Sequence, residues 1–154
     1  MPFLKLFICL TLALTALKSQ ANNESVELNG KYEMTLTIGN KVFTDYMIID
    51  KIAANPVLLI SQNTEIQGSI EVPHIFKSSF VGQLFVETRY KVVSLNFSIV
   101  AKENGQEFNV HYVAGISPMN LNKILQGELP PTFYGTASLD NNKKLGEFKA
   151  VKIE

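Results

Sequence analysis

The sequence predicts an all-β fold: a single-domain, antiparallel up-and-down β-barrel of eight or nine strands, with one short helix near residues 118–126. Three observations carry this expectation. Segments of about 6 to 12 residues alternate apolar and polar side chains, the period of two that a half-buried strand requires. Turn residues separate these segments, with no helix-length stretches of the kind that join parallel strands. Strands this numerous and closely joined bury their own edges by closing into a barrel, with a two-sheet sandwich as the alternative.

The first 21 residues stand apart. Lys5 precedes an uncharged run from Leu6 to Leu17, and Ser19-Gln-Ala21 ends it, the three-part order of a secretory signal cleaved after Ala21. The apolar run is about 12 residues, short of the roughly 20 that a membrane-crossing helix needs. No transmembrane helix is expected in the mature chain. Residues 22–154 are then one domain, about the size that supports a single core. The chain's one cysteine, Cys9, falls inside the signal, so the sequence predicts a cysteine-free mature domain without disulfides. An exported domain of that kind fits the bacterial periplasm best, with release from the cell as the other possibility.

The strands follow in order. Leu28 to Ile38 places Tyr32, Met34, Leu36 and Ile38 on one face and Lys31, Glu33, Thr35 and Thr37 on the other, and Gly39-Asn40 supplies a tight turn. Lys41 to Ile52 returns. Asn55-Pro56 breaks the chain, Val57 to Ser61 reads as a short strand, and Glu65 to Val72 as the next. Pro73 lacks a backbone donor, so Pro73 to Ser79 reads as a loop before strands Phe80 to Tyr90 and Val92 to Lys102. Asn104-Gly105 is the strongest hairpin signal, and Phe108, Val110, Tyr112 and Ala114 continue the inward face on the return. Ser117-Pro118 caps and opens the helix, and Gly127 closes it. Strands Thr132 to Leu139 and Leu145 to Ile153 form a last hairpin around Asp140 to Lys143.

Charge and motifs exclude more than they assign. Lys plus Arg equals Asp plus Glu at 14 each, no electrostatic footprint for nucleic acid. His74 sits in the Pro73 loop and His111 on a polar strand face, and both read as solvent-exposed positions. Neither has the short ligand spacing of a metal site with Asp45, Asp50 or Glu71. No Gly-x-Ser-x-Gly or Ser-x-x-Lys motif occurs, so no serine hydrolase is signalled and no cofactor is implied. The sequence therefore predicts no catalytic residue and no enzymatic activity.

Aromatic residues occur on nearly every strand, able either to line an apolar cavity or to fill a solid core. Tyr46, Phe76, Phe80 and Tyr134, near predicted strand ends, are the candidate ligand-binding residues at a barrel mouth. Asn29-Gly30-Lys31-Tyr32, opening the first strand, resembles the Gly-x-Trp start of lipocalins, with Tyr in place of Trp. That resemblance implies an up-and-down ligand-binding barrel. The functional expectation is an exported, non-enzymatic barrel binding a small apolar ligand. The alternative is a protein-interaction module using a strand edge such as Leu84-Phe-Val86 or Val57 to Ile60. A small outer-membrane barrel and a hydrolase rank below both.

Overall fold

The structure is a computed structural model, and it describes residues 26–53, 62–87, 91–103, 105–140 and 143–154. The signal expected over residues 1–21 and the short strand expected over 57–61 lie outside the described residues. The expectation of a cysteine-free mature domain is corrected: the chain from Met1 to Glu154 carries one cysteine, Cys9, so this protein is not cysteine-free.

Eight strands are seen among the described residues: β1 (Gly30–Ile38), β2 (Lys41–Ile52), β3 (Gln62–Val72), β4 (Phe76–Glu87), β5 (Val92–Glu103), β6 (Gln106–Ile116), β7 (Thr132–Leu139) and β8 (Lys144–Lys152). One helix, α1 (Pro118–Leu125), lies between β6 and β7. Each strand pairs antiparallel with the next, and β8 returns to β1 from Tyr32↔Lys152 to Thr37↔Glu147, closing the barrel. That last ladder excludes the sandwich, because it removes the two free edges an open sheet would keep.

Turn chemistry sets the register. Gly39 alone takes a positive φ, 58°, in the two-residue β1–β2 link, as the first central position of a II′ turn requires. The loop expected over Pro73 to Ser79 is corrected to a three-residue turn, with β4 beginning at Phe76. Pro73 sits at the corner, where its missing donor costs nothing. His74 takes φ 63°, and the Ile75 N–H donates to the Val72 carbonyl at 3.0 Å. Lys77 and Ser79, whose polarity suggested a loop, point outward from a strand.

One end of the barrel is closed by local motifs. The Asn120 N–H donates to Ser117 Oγ at 3.3 Å to cap α1, and Pro118 occupies its first turn. At the far end the Gly127 N–H donates to Ile124 and the Glu128 N–H to Lys123, a Schellman motif with Gly127 at φ 74°. So anchored, α1 buries Leu121 alongside Val26 and Leu28. Tyr32 is fully buried there, its hydroxyl donating to the Leu28 carbonyl at 2.6 Å and its ring tilted against Phe133. Burial pushes that hydroxyl well above the ordinary tyrosine range, with the Glu27 charge adding to it. Tyr32→Phe strands a buried carbonyl and should lower stability by about 1 kcal/mol, read from the urea midpoint.

The interior is largely apolar, with Asp45 and Thr64 buried among the apolar side chains. Rings run across its middle in a chain: Phe80 on Phe97 at 4.1 Å between centroids, Phe97 on Tyr112 at 4.8 Å, and Tyr112 edge-on to Phe148 at 5.5 Å. Gly68 faces Phe80 across the β3–β4 ladder, and a Cβ there would lie 2.6 Å from the tip of the Phe80 ring. The missing side chain is what lets the ring lie flat over the strand. Outward positions are mostly polar, the reverse of the lipid-facing wall of an outer-membrane barrel. No described helix is long and apolar enough to cross a membrane.

Candidate functional site

The outer wall of β5, β6 and β7 gathers three residues that the sequence keeps apart. β5 and β6 are joined by two residues, with Glu103 opposite Gln106, so counting back along the ladder sets Ser98 opposite His111. Period-two alternation turns both side chains outward. Asp140 follows the end of β7, where the chain turns toward β8. Ser98 Oγ lies 2.6 Å from His111 Nδ1, and His111 Nε2 lies 2.7 Å from Asp140 Oδ1. Asn109 Nδ2 donates to Asp140 Oδ2 at 3.0 Å, fixing the carboxylate from its other side.

These contacts select one tautomer of a neutral His111 ring. The hydrogen bond from His111 holds the Asp140 carboxyl below the ordinary carboxylate range, partly offset by desolvation and reinforced by Asn109. A carboxylate only accepts, so Nε2 carries the proton in the neutral ring, Nδ1 is an acceptor, and the Ser98 hydroxyl donates to it. The chain of donors therefore runs from serine through histidine to aspartate. His111 and Asp140 are partly exposed, so solvent screens the pair.

Beside this relay the barrel wall opens. The β4–β5 ladder runs from Glu87↔Val92 to Gly82↔Phe97 and stops there. Beyond that point β4 pairs only with β3, down to Val72↔Phe76, and β5 only with β6, out to Glu103↔Gln106. Among the described residues, the stacked rings of Phe80 and Phe97 span the open half, as does Ser78 Oγ donating to the Val100 carbonyl at 3.2 Å. A groove of about 710 Å³ follows it, with Ile75, Phe76, Lys77, Val100 and Lys102 among its walls. A second groove, about 370 Å³, lies at the closed end of the seam between Val81, Gln83, Asn96, Ser98 and His111.

Asp45 is an acid buried on the inner face of β2. Burial raises its carboxyl above the ordinary range, and its charge adds to burial in raising the Tyr112 hydroxyl. A carboxyl whose folded pKa exceeds its unfolded value favours folding most when protonated. That contribution is complete below the unfolded value, near 3.8, and is lost as pH rises through the higher folded one. Asp45→Asn should therefore raise the urea midpoint at pH 7, and the gain should shrink as the solution is acidified through that window.

The four sequence-selected residues do not converge. Phe80 is inside, within the ring chain, and Phe76 is half-buried at the rim of the open seam. Tyr46 lies on the outer wall under Lys31 Nζ, 4.4 Å from its ring centroid, and exposed Tyr134 stands near Lys149 on another part of that wall. His74 is exposed at its turn. The strand edge proposed at Leu84 to Val86 is corrected, since those residues pair with β3 on one side and β5 on the other. The edge at Val57 to Ile60 lies outside the described residues. Among the described residues, no group of three His, Cys, Asp or Glu side chains could hold a metal ion.

Fold and wall together define a small up-and-down β-barrel whose middle is crossed by a chain of aromatic rings and whose outer wall carries a polar cluster beside an unzipped seam. Compared with known proteins, the chain matches no family model, no curated protein and no solved structure.

Proposed function

We propose that the protein is an exported β-barrel binding module that receives an extended peptide segment of a partner protein in the open half of its β4–β5 seam. One observation carries this reading: the β4–β5 ladder ends at Gly82↔Phe97 while the β3–β4 and β5–β6 ladders continue. Alternate N–H and C=O groups of Phe76 to Val81 and of Ser98 to Lys102 then face the gap instead of a strand. An extended segment would satisfy them by strand addition, displacing the Ser78 hydrogen bond to the Val100 carbonyl that now spans the gap. Ile75, Phe76 and Val100 offer apolar contact for its side chains, and Lys77 adds a positive charge at the rim. The reading needs no catalysis. Export rests on the order of the first 21 residues.

A small apolar ligand inside the barrel is the second reading, and the ring chain across the middle works against it. Native mass spectrometry of protein purified from its own host separates the two, since a co-purifying lipid would favour the interior. Against an arrayed library of extended peptides, bound peptide should slow hydrogen exchange at the amides of Phe76 to Val81. Val100→Asp should weaken that binding by about tenfold, or about 1.4 kcal/mol. Protection confined to the opposite wall, β8 and β1, would overturn the seam as the site. Cell fractionation with detection of the first residue of the mature chain tests export.

A further inference from the structure

We propose that Ser98 is an acyl-accepting nucleophile, activated by His111 and Asp140, and that the groove beside it takes esters with short apolar acyl groups. This inference goes beyond peptide binding and does not depend on it. It rests on the relay itself, with Ser98 Oγ 2.6 Å from His111 Nδ1 and His111 Nε2 2.7 Å from Asp140 Oδ1. A hydroxyl donating to a neutral imidazole, which in turn donates to a carboxylate, is the connectivity of nucleophile, base and orienting group. Here the ring is reversed relative to the usual serine triad, with Nδ1 toward the serine. The chemistry is unaffected, because either ring nitrogen can accept a proton while the other donates.

The surroundings supply the other parts of such a site. Cross-strand pairing places Gln83 opposite Asn96 and Asn96 opposite Val113, one outward position along from Ser98 and His111. Two side-chain amides, able to donate to a developing oxyanion, therefore line the same groove as the nucleophile. Val81 and Val113 are exposed on the same wall and give the acyl chain an apolar surface. Between them Gly82 faces inward opposite Phe97, and because a Cβ there would meet the Asn96 carbonyl and the Phe97 Cβ, its absence lets β4 lie close against β5 at this point. The seam ends at this point, so the wall around Ser98 is not covered by a continuing β4–β5 ladder.

The step balances as follows. Ser98 Oγ attacks the ester carbonyl and gives its proton to His111 Nδ1, and the imidazolium that forms is stabilised by Asp140. The C–O bond to the alcohol breaks, the alcohol oxygen takes the proton from Nδ1, and the acyl group remains on Ser98. Water entering through the exposed groove reverses the sequence and releases the acid. Screening at an exposed site limits the acceleration, so activated esters are the substrates to expect.

The test uses the full chain as its host produces it, incubated with 4-nitrophenyl butyrate and, separately, with a fluorophosphonate, and followed by intact mass and peptide mapping. The expected result is one adduct, mapped to Ser98 and absent from Ser98→Ala. Nitrophenol release should fall by about 100-fold in His111→Ala. Asp140→Asn should slow release as well, and Ser94→Ala, on the same strand opposite Gly115, should leave it unchanged. Circular dichroism and melting midpoints show that each variant is folded, as expected for these wall positions. No adduct on the folded protein, an adduct that persists in Ser98→Ala, or an unchanged rate in His111→Ala would each overturn the proposal.

Discussion

Phe97→Ala is expected to cost about 3 to 5 kcal/mol of stability, the range for removing a fully packed aromatic ring. Its ring is stacked between Phe80 and Tyr112, so alanine opens a void lined by two further rings that cannot collapse without leaving their own strands. The effect reaches the site. Phe80 and Phe97 hold the open half of the β4–β5 seam together from inside, beside the hydrogen bond from Ser78 to Val100. Hydrogen exchange in Phe76 to Val81 should therefore rise by more than the global loss of stability accounts for. A urea midpoint unchanged from that of the parent chain would show that the ring chain is not the core described here.

Gly68→Val is the second large effect, expected to cost about 3 kcal/mol or to prevent folding. A Cβ at this position would approach the Ile48 carbonyl and the Phe80 ring, at 2.1 and 2.6 Å. The carbonyl belongs to the backbone of β2 and cannot move without breaking the β2–β3 ladder, which already shifts register between Ile49 and Lys51. Displacing Phe80 instead would unstack it from Phe97 and widen the seam. Gly39→Ala makes the control, with open space around its missing side chain and only the strain of a positive φ to bear. It should cost about 1 kcal/mol, and thermal melts of the two variants compare them directly.

Much of the fold was legible because its signals are local. Alternation along Tyr32, Met34, Leu36 and along Val93, Leu95, Phe97, Ile99 gave the strands and their inner faces, and those residues are buried. Ser117, Pro118 and Gly127 marked the helix within a residue or two of its ends. Misreadings arose where composition stood in for geometry. Lys77, Ser78 and Ser79 look like loop residues, but a turn compressed into Pro73, His74 and Ile75 makes them strand. Aromatic residues near strand ends suggest one mouth, but alternation sends Tyr46 and Tyr134 to the outer wall and Phe80 inward.

The relay of Ser98, His111 and Asp140 was half legible. The two-residue link at Asn104-Gly105 fixes which β5 residue opposes which β6 residue, so the pairing of Ser98 with His111 could have been counted from the sequence. Asp140 could not. It lies 29 residues from His111 and reaches it only because β6 and β7 pair with His111 opposite Ser138 after the chain passes through α1.

By itself, then, the sequence determined that this chain forms short antiparallel strands with one apolar face, because side-chain direction and turn geometry are settled within a few residues. Only the tertiary structure decided that β8 closes on β1, that the rings meet in the middle, that the β4–β5 seam opens halfway, and that a serine, a histidine and an aspartate share one patch of wall. Those outcomes depend on contacts between distant segments, whose register is set by the packing of the whole barrel and leaves no mark on any one stretch of chain.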